Sequence, residues 1–223
     1  MIEGPGLQDR KLLGLIVNPR AGMGGSVGLK GSDGAAIQQQ AIRLGGVSRA
    51  LERAAIAMEL LRPLADRITI LTYPGEMGAD AVHGFDVEVI GKIAAGDTTP
   101  EDTRHAAAEM MRRDAALILF AGGDGTARDI QGVIGTNVPA LGIPAGVKIH
   151  SSVYAVTPRA AGALTARFLE DPSPRLSEGE VMDIDEDALR KGIVSARLYG
   201  TLKVPQAAGF VQNPKSSSPA SDR

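Results

Sequence analysis

Cysteine and tryptophan are absent from the 223 residues, and aromatic side chains make up only 3 % of them. The first absence excludes disulfides, thiolate zinc sites and a cysteine nucleophile. The scarcity of rings leaves the core to Ala, Val, Ile, Leu and Met. No run of about 18 uncharged apolar residues occurs, so no membrane-spanning helix is expected. Residues 1–10 lack the apolar run of a signal peptide. Positive charge is not in excess, since 24 Lys and Arg against 26 Asp and Glu leave a formal net charge of -2. A nucleic-acid duplex needs a basic stripe, so nucleic acid is not an expected partner; a small phosphorylated ligand needs only local donors. The composition is compatible with a reducing cytoplasm, the expected location.

Glycine is plentiful, at 28 residues. Many glycines follow directly on apolar runs, which points to tight turns and backbone-lined ligand loops. The apolar runs are of strand length and alternate with helical periodicity. Strands are expected over residues 12–17, 68–71, 85–90, 115–120 and 138–143. Helices are expected over residues 49–62, capped by Ser48 and ended by Pro63, and over 78–82, 99–113, 127–134 and 157–169. Thr99-Pro100-Glu101-Asp102 is a strong helix start, with a capping hydroxyl, a first-turn proline and acids facing the dipole. Unbroken apolar strands between helices imply a parallel sheet covered on both faces. The fold class is therefore α/β, a Rossmann-like parallel sheet with helices on both faces. The nucleotide-binding α/β domain is expected over residues 11–171. After a Pro-Ser-Pro linker at 172–174, residues 175–210 read as the start of a β-rich second domain that this chain does not complete. The Ser/Pro-rich residues 211–223 read as a disordered tail.

Three loops carry the chemistry. Ala121-Gly122-Gly123-Asp124-Gly125-Thr126 follows the most apolar strand and precedes a helix. Ligands of open α/β sheets bind at the carboxyl ends of strands, and glycines there let amides approach phosphate oxygens. An acid among them would repel a phosphate. It makes sense as acceptor of a substrate hydroxyl proton or holder of a metal-bound water; the alternative is a tight turn with Asp124 as helix cap. In the second loop, Asn18-Pro19-Arg20-Ala21-Gly22-Met23-Gly24-Gly25, Gly22, Gly24 and Gly25 are placed to surround a phosphate and Asn18 to orient a ligand. A plain Gly-rich connection is the alternative, and Walker A spacing is absent. The third, residues 144–152, offers Lys148 to neutralise a phosphate. His150 beside two serines reads as a structural histidine, for no Gly-x-Ser-x-Gly elbow is present. His83 and His105 lack partners at metal-ligand spacing, and no metal ligand is assigned. Residues 29–34 read either as a continuation of the second loop or as a solvated turn. Asp183, Asp185, Glu186 and Asp187 read as a solvated acidic face.

Together these loops resemble the ATP-NAD kinase family, within the NAD kinase and diacylglycerol kinase superfamily. Residues 18–34 and 142–152 look most like its branch related to the acetoin-catabolism X protein. The resemblance covers roughly residues 11–205. It implies an ATP-dependent kinase that phosphorylates the ribose 2′-hydroxyl of NAD, or a related small molecule, with Mg²⁺ accompanying ATP. By that resemblance Asp124 is catalytic, while Gly122, Gly123, Gly125 and Thr126 line the phosphate site with Asn18 and Gly22 nearby. A homo-oligomer is also implied. The Asn-Glu pair that NAD kinases usually carry beyond this loop is missing. A non-catalytic or truncated nucleotide-binding module is the alternative of another class. A diacylglycerol-type lipid kinase is a third, against which the missing basic or amphipathic membrane surface counts.

Overall fold

The computed structural model describes residues 10–28, 35–93, 98–146, 149–184, 195–206 and 209–211. Its centre is a five-stranded, all-parallel sheet of order β3-β2-β1-β4-β5. The strands are β1 (Lys11–Val17), β2 (Ile68–Thr72), β3 (Asp86–Val89), β4 (Leu117–Gly122) and β5 (Ala140–Pro144). Every residue of β4 and β5 is buried, as the unbroken apolar sequence demands of strands covered on both faces, whereas the edge strand β3 is largely exposed.

Helices connect the strands: α1 (Met23–Ser26), α2 (Ala35–Arg43), α3 (Ala50–Glu59), α4 (Pro100–Arg112), α5 (Asp124–Ile134) and α6 (Pro158–Glu170). Right-handed crossovers in an order that reverses beside β1 place α3 and α5 on opposite faces. α6 joins α3, and α4 joins α5. The α3–α6 crossing is close because Gly162 lies against the backbone of Ala57; a Cβ at Gly162 would stand 2.2 Å from its carbonyl oxygen. α4 starts as its sequence promised, with a reciprocal capping box between Thr99 and Asp102 and Pro100 in the first turn.

Three local expectations need correction. α3 stops at Glu59, and Pro63 lies inside a 3₁₀ turn, Arg62–Arg67, that tightens the helix exit. Ser48 accepts the Ala50 N–H, but the cap position belongs to Arg49, which makes no side-chain cap bond. The short helix expected over residues 78–82 is present as a 3₁₀ turn, Ala79–Ala81, which follows a second one, Gly75–Met77, across Gly78 at φ 144. α5 begins at Asp124, three residues before the expected start, so Gly125 and Thr126 belong to its first turn.

Beyond α6, β6 (Leu176–Ile184) and β7 (Ala196–Pro205) pair antiparallel in a second sheet. β6 and β7 pack against α5, and Gly200 lets β7 pass Gln131, for a Cβ there would meet its amide at 2.2 Å. Of the tail expected over residues 211–223, Val211 is described and forms an antiparallel bridge with Ala155, and residues 212–223 lie outside the described residues.

Candidate functional site

The strand order reverses between β1 and β4, and their carboxyl-terminal loops meet in the crevice this opens. Asn18 leaves β1 and spans the crevice: its Nδ2 donates to Thr126 Oγ1 at 2.9 Å, and its Oδ1 accepts the Arg20 N–H. Gly22 follows at φ 78, and a Cβ there would stand 2.3 Å from the Ala145 carbonyl oxygen. The loop after β1 therefore lies directly on the loop after β5, with backbone against backbone.

Gly122 ends β4, and its carbonyl accepts the N–H groups of Ala145 and Gly146. A Cβ on Gly122 would come within 2.4 Å of Thr126 Oγ1, so glycine is what lets α5 begin so soon after the strand. Gly123 is the N-cap of α5, and no side chain caps this end. The first-turn amides thus lack a side-chain acceptor and present a positive potential. The carbonyl of Gly123 accepts the Tyr154 hydroxyl at 2.6 Å. Gly123 and Gly146 face each other, since a Cβ on Gly146 would lie 3.3 Å from the Gly123 Cα.

Asp124 is only 8 % exposed. Its Oδ2 accepts the His150 N–H at 2.8 Å and lies 3.1 Å from His150 Nδ1. Its Oδ1 accepts the Ser151 N–H at 3.1 Å and the Ser151 hydroxyl at 2.6 Å. A carboxylate has about four lone-pair positions, so this cluster engages all of them. Ser151 Oγ in turn accepts the Met182 N–H, and Ser152 Oγ accepts that of Glu180, which stitches the site to β6. Tyr154 is fully buried, with its ring edge-on to Phe120 at 5.3 Å. Burial, then the nearby charges of Asp124 and Asp183, holds its phenol well above the usual tyrosine range.

The structure brings Asn18, Gly22, Gly122, Gly123, Asp124, Gly125 and Thr126 together. Gly24 lies buried in α1, which also holds Gly25. Lys148 and residues 29–34 lie outside the described residues. The sequence marks His150 only as a hydrogen-bonded structural residue and gives Ser151 no role; here both hold Asp124. The signal that finds them is topological, because β5 neighbours β4 and its following segment must border the Gly122–Gly123 turn. Asp183 corrects the expectation of a solvated acidic face. It is buried, and its Oδ2 lies 2.8 Å from Arg128 Nη1; Asp185, Glu186 and Asp187 lie outside the described residues. Arg128 also lies over the ring of Tyr199, 5.4 Å from its centroid, so this pair pins α5 to the second sheet.

Among the described residues no group of three His, Asp or Glu side chains is arranged to hold a metal ion, so the described side chains offer no cage for magnesium. No described helix is long and apolar enough to cross a membrane. A surface groove of about 430 Å³ beside α4, lined by Tyr73, Gly91, His105, Ala108, Glu109 and Arg112, shares no residue with the Asp124 cluster.

The family model of the ATP-NAD kinase N-terminal domain matches residues 13–172, from β1 through the end of α6. Two solved structures of a provisionally assigned diacylglycerol kinase from Bacillus anthracis str. Sterne are similar to this chain, each with 16 % identity and a TM-score of 0.38. They match 76 % of this chain, which spans 44 % and 45 % of theirs. No curated protein matches it. With the match extending over most of its length, the chain belongs to the ATP-NAD kinase N-terminal domain family.

Proposed function

We propose that this chain supplies the nucleotide-binding half of an ATP-dependent phosphotransferase acting on a hydroxyl of NAD or a related small molecule. One observation carries the reading: a buried carboxylate, Asp124, sits at the start of an uncapped helix in the crevice where the strand order reverses. Anionic phosphates suit the helix start, where backbone amides and the dipole attract them. Glycine at 123 and 146 keeps the surrounding backbone bare. A hydroxyl acceptor needs a proton sink close to the transferring phosphoryl group, and the Asp124–His150–Ser151 cluster is the titratable group beside that helix start. In this reading Asn18 and Thr126 fix the crevice wall, and Gly22, Gly122, Gly123 and Gly125 line the phosphate end. A cytoplasmic location and NADP as product go with it.

A second reading is favoured by the same carboxylate. All its lone pairs are engaged within the chain, so Asp124 serves equally as a structural anchor in a nucleotide-binding module without turnover. Incubation of the chain with ATP, magnesium and NAD, followed by an NADP-specific dehydrogenase assay and an NAD binding titration, separates the two. NADP formation supports the phosphotransferase; saturable binding of NAD without NADP supports the module.

A further inference from the structure

The Asp124 carboxylate and the His150 ring share one hydrogen bond but not one environment. The side chain of Asp124 is 7 % exposed and that of His150 is 39 % exposed. A carboxylate oxygen can only accept, so at 3.1 Å from Asp124 Oδ2 the Nδ1 of neutral His150 carries the ring proton. Nε2 is then the basic nitrogen, and it has no hydrogen-bond partner among the described residues. Asp124 itself has no lone pair to spare, because the His150 and Ser151 amides and the Ser151 hydroxyl occupy the rest. The His150 amide also anchors the ring at its root, since the backbone N–H and Nδ1 address the same oxygen.

We infer that His150, rather than Asp124, accepts the proton of the substrate hydroxyl, and that Asp124 is a positioning residue that fixes the imidazole in its Nδ1–H form. The inference rests on the phosphotransferase reading. As a hydroxyl within hydrogen-bond reach of Nε2 loses its proton to that nitrogen, the oxygen's electron pair attacks the terminal phosphorus of the nucleoside triphosphate. The bond from that phosphorus to the bridging oxygen breaks, and its electrons leave on the nucleoside diphosphate. The imidazolium formed is stabilised by the buried carboxylate and later passes its proton to water. The hydrogen-bonding pattern is that of a base held in one tautomer by a buried acid, with a phosphoryl group in place of an acyl group.

The first test needs neither activity nor substitution. Long-range ¹H–¹⁵N spectra of the full chain, which holds three histidines, report the tautomer of each ring. Assignment of His150 as the neutral Nδ1–H form, lost in a folded Asp124→Asn variant, is the expected result; an Nε2–H form in the unsubstituted chain overturns the inference. The second test is turnover of ATP and NAD by His150→Ala. A loss of about 10²–10⁴-fold, partly restored by added imidazole, is expected. Unchanged turnover overturns the role of His150, and a loss that imidazole does not restore assigns the ring a structural part only. If the unsubstituted chain gives the Nδ1–H form yet no NADP, the phosphotransferase reading fails and the base role with it, while the Asp124–His150 geometry stands.

Discussion

The side-chain amide of Asn18 donates to Thr126 Oγ1 across 2.9 Å, joining the loop after β1 to the first turn of α5 at the point where the strand order reverses. Thr126 is 3 % exposed, so its hydroxyl has little access to water if that partner is removed. Loss of a buried hydrogen-bond partner costs about 1–3 kcal/mol. Asn18→Ala and Thr126→Val should each lower stability by about that amount in denaturant titrations. The double variant should be less destabilised than the sum, with a coupling of about 0.5–3 kcal/mol. Strict additivity would show that the contact does not hold the crevice together.

Two neighbouring glycines should behave differently. A Cβ at Gly122 would stand 2.4 Å from Thr126 Oγ1, so Gly122→Ala must displace the first turn of α5 and destabilise the fold. A Cβ at Gly123 would find its nearest neighbour, the Gly146 Cα, at 3.8 Å, an ordinary contact. Gly123→Ala should therefore melt near the unsubstituted temperature, yet weaken nucleotide binding by about tenfold or more, equivalent to about 1.4 kcal/mol, by filling space next to the phosphates. Calorimetric titration of ATP or NAD into both proteins checks this; unaltered affinity in Gly123→Ala would place the phosphates elsewhere.

The α3–α6 crossing offers a contest between two effects. Alanine is about 1 kcal/mol better than glycine inside a helix, which favours Gly162→Ala. Against it, the new methyl would meet the Ala57 carbonyl oxygen at 2.2 Å, and backbone cannot swing aside as a side chain can. Overpacking of this kind costs about 1–3 kcal/mol, so a net loss of stability is expected in thermal melts. A gain would mean that the helices separate freely.

Tyr154 links the site to alkaline stability. Its phenol is held well above the ordinary range by burial and by Asp124 and Asp183, and Tyr73 is also raised, by burial and then by Asp102 and Glu109. A raised folded-state value means that the folded form keeps its proton where the unfolded chain has lost it. The contribution is complete below the unfolded tyrosine value of about 10 and is lost as pH rises beyond it. Urea unfolding between pH 8 and 11 should show falling stability above about pH 10, with a shallower fall in Tyr154→Phe. Identical slopes in the two proteins would contradict the buried, un-ionised state of this hydroxyl.

Much of the first sheet was legible because its signals are local. The apolar runs that became β1, β4 and β5 are buried on both faces, and Thr99 and Thr157 cap α4 and α6 with their own hydroxyls. β6 was hidden because its buried face carries Gly179, Val181 and Asp183, so a glycine and an acid mask the alternation. The early start of α5 was hidden for a related reason: Gly122 and Gly123 read as loop, yet they allow the helix to begin at Asp124. The loop that carries Asp124 could be read from its residues, but the partners of the carboxylate could not. His150 and Ser151 lie 26 and 27 residues away, and only the β4–β5 adjacency brings them there. Asp183 looks solvated in the sequence because its counter-charge, Arg128, is supplied by another element.

The most direct measurement is the rate at which the full chain forms NADP from ATP, magnesium and NAD, compared with Asp124→Asn that has been verified as folded at the assay temperature. Turnover that falls by about 10²–10⁴-fold in the variant is the predicted result, the range expected when acid–base positioning is lost. NADP formation at the same rate in both proteins, or NAD bound without any turnover by the unsubstituted chain, would contradict it.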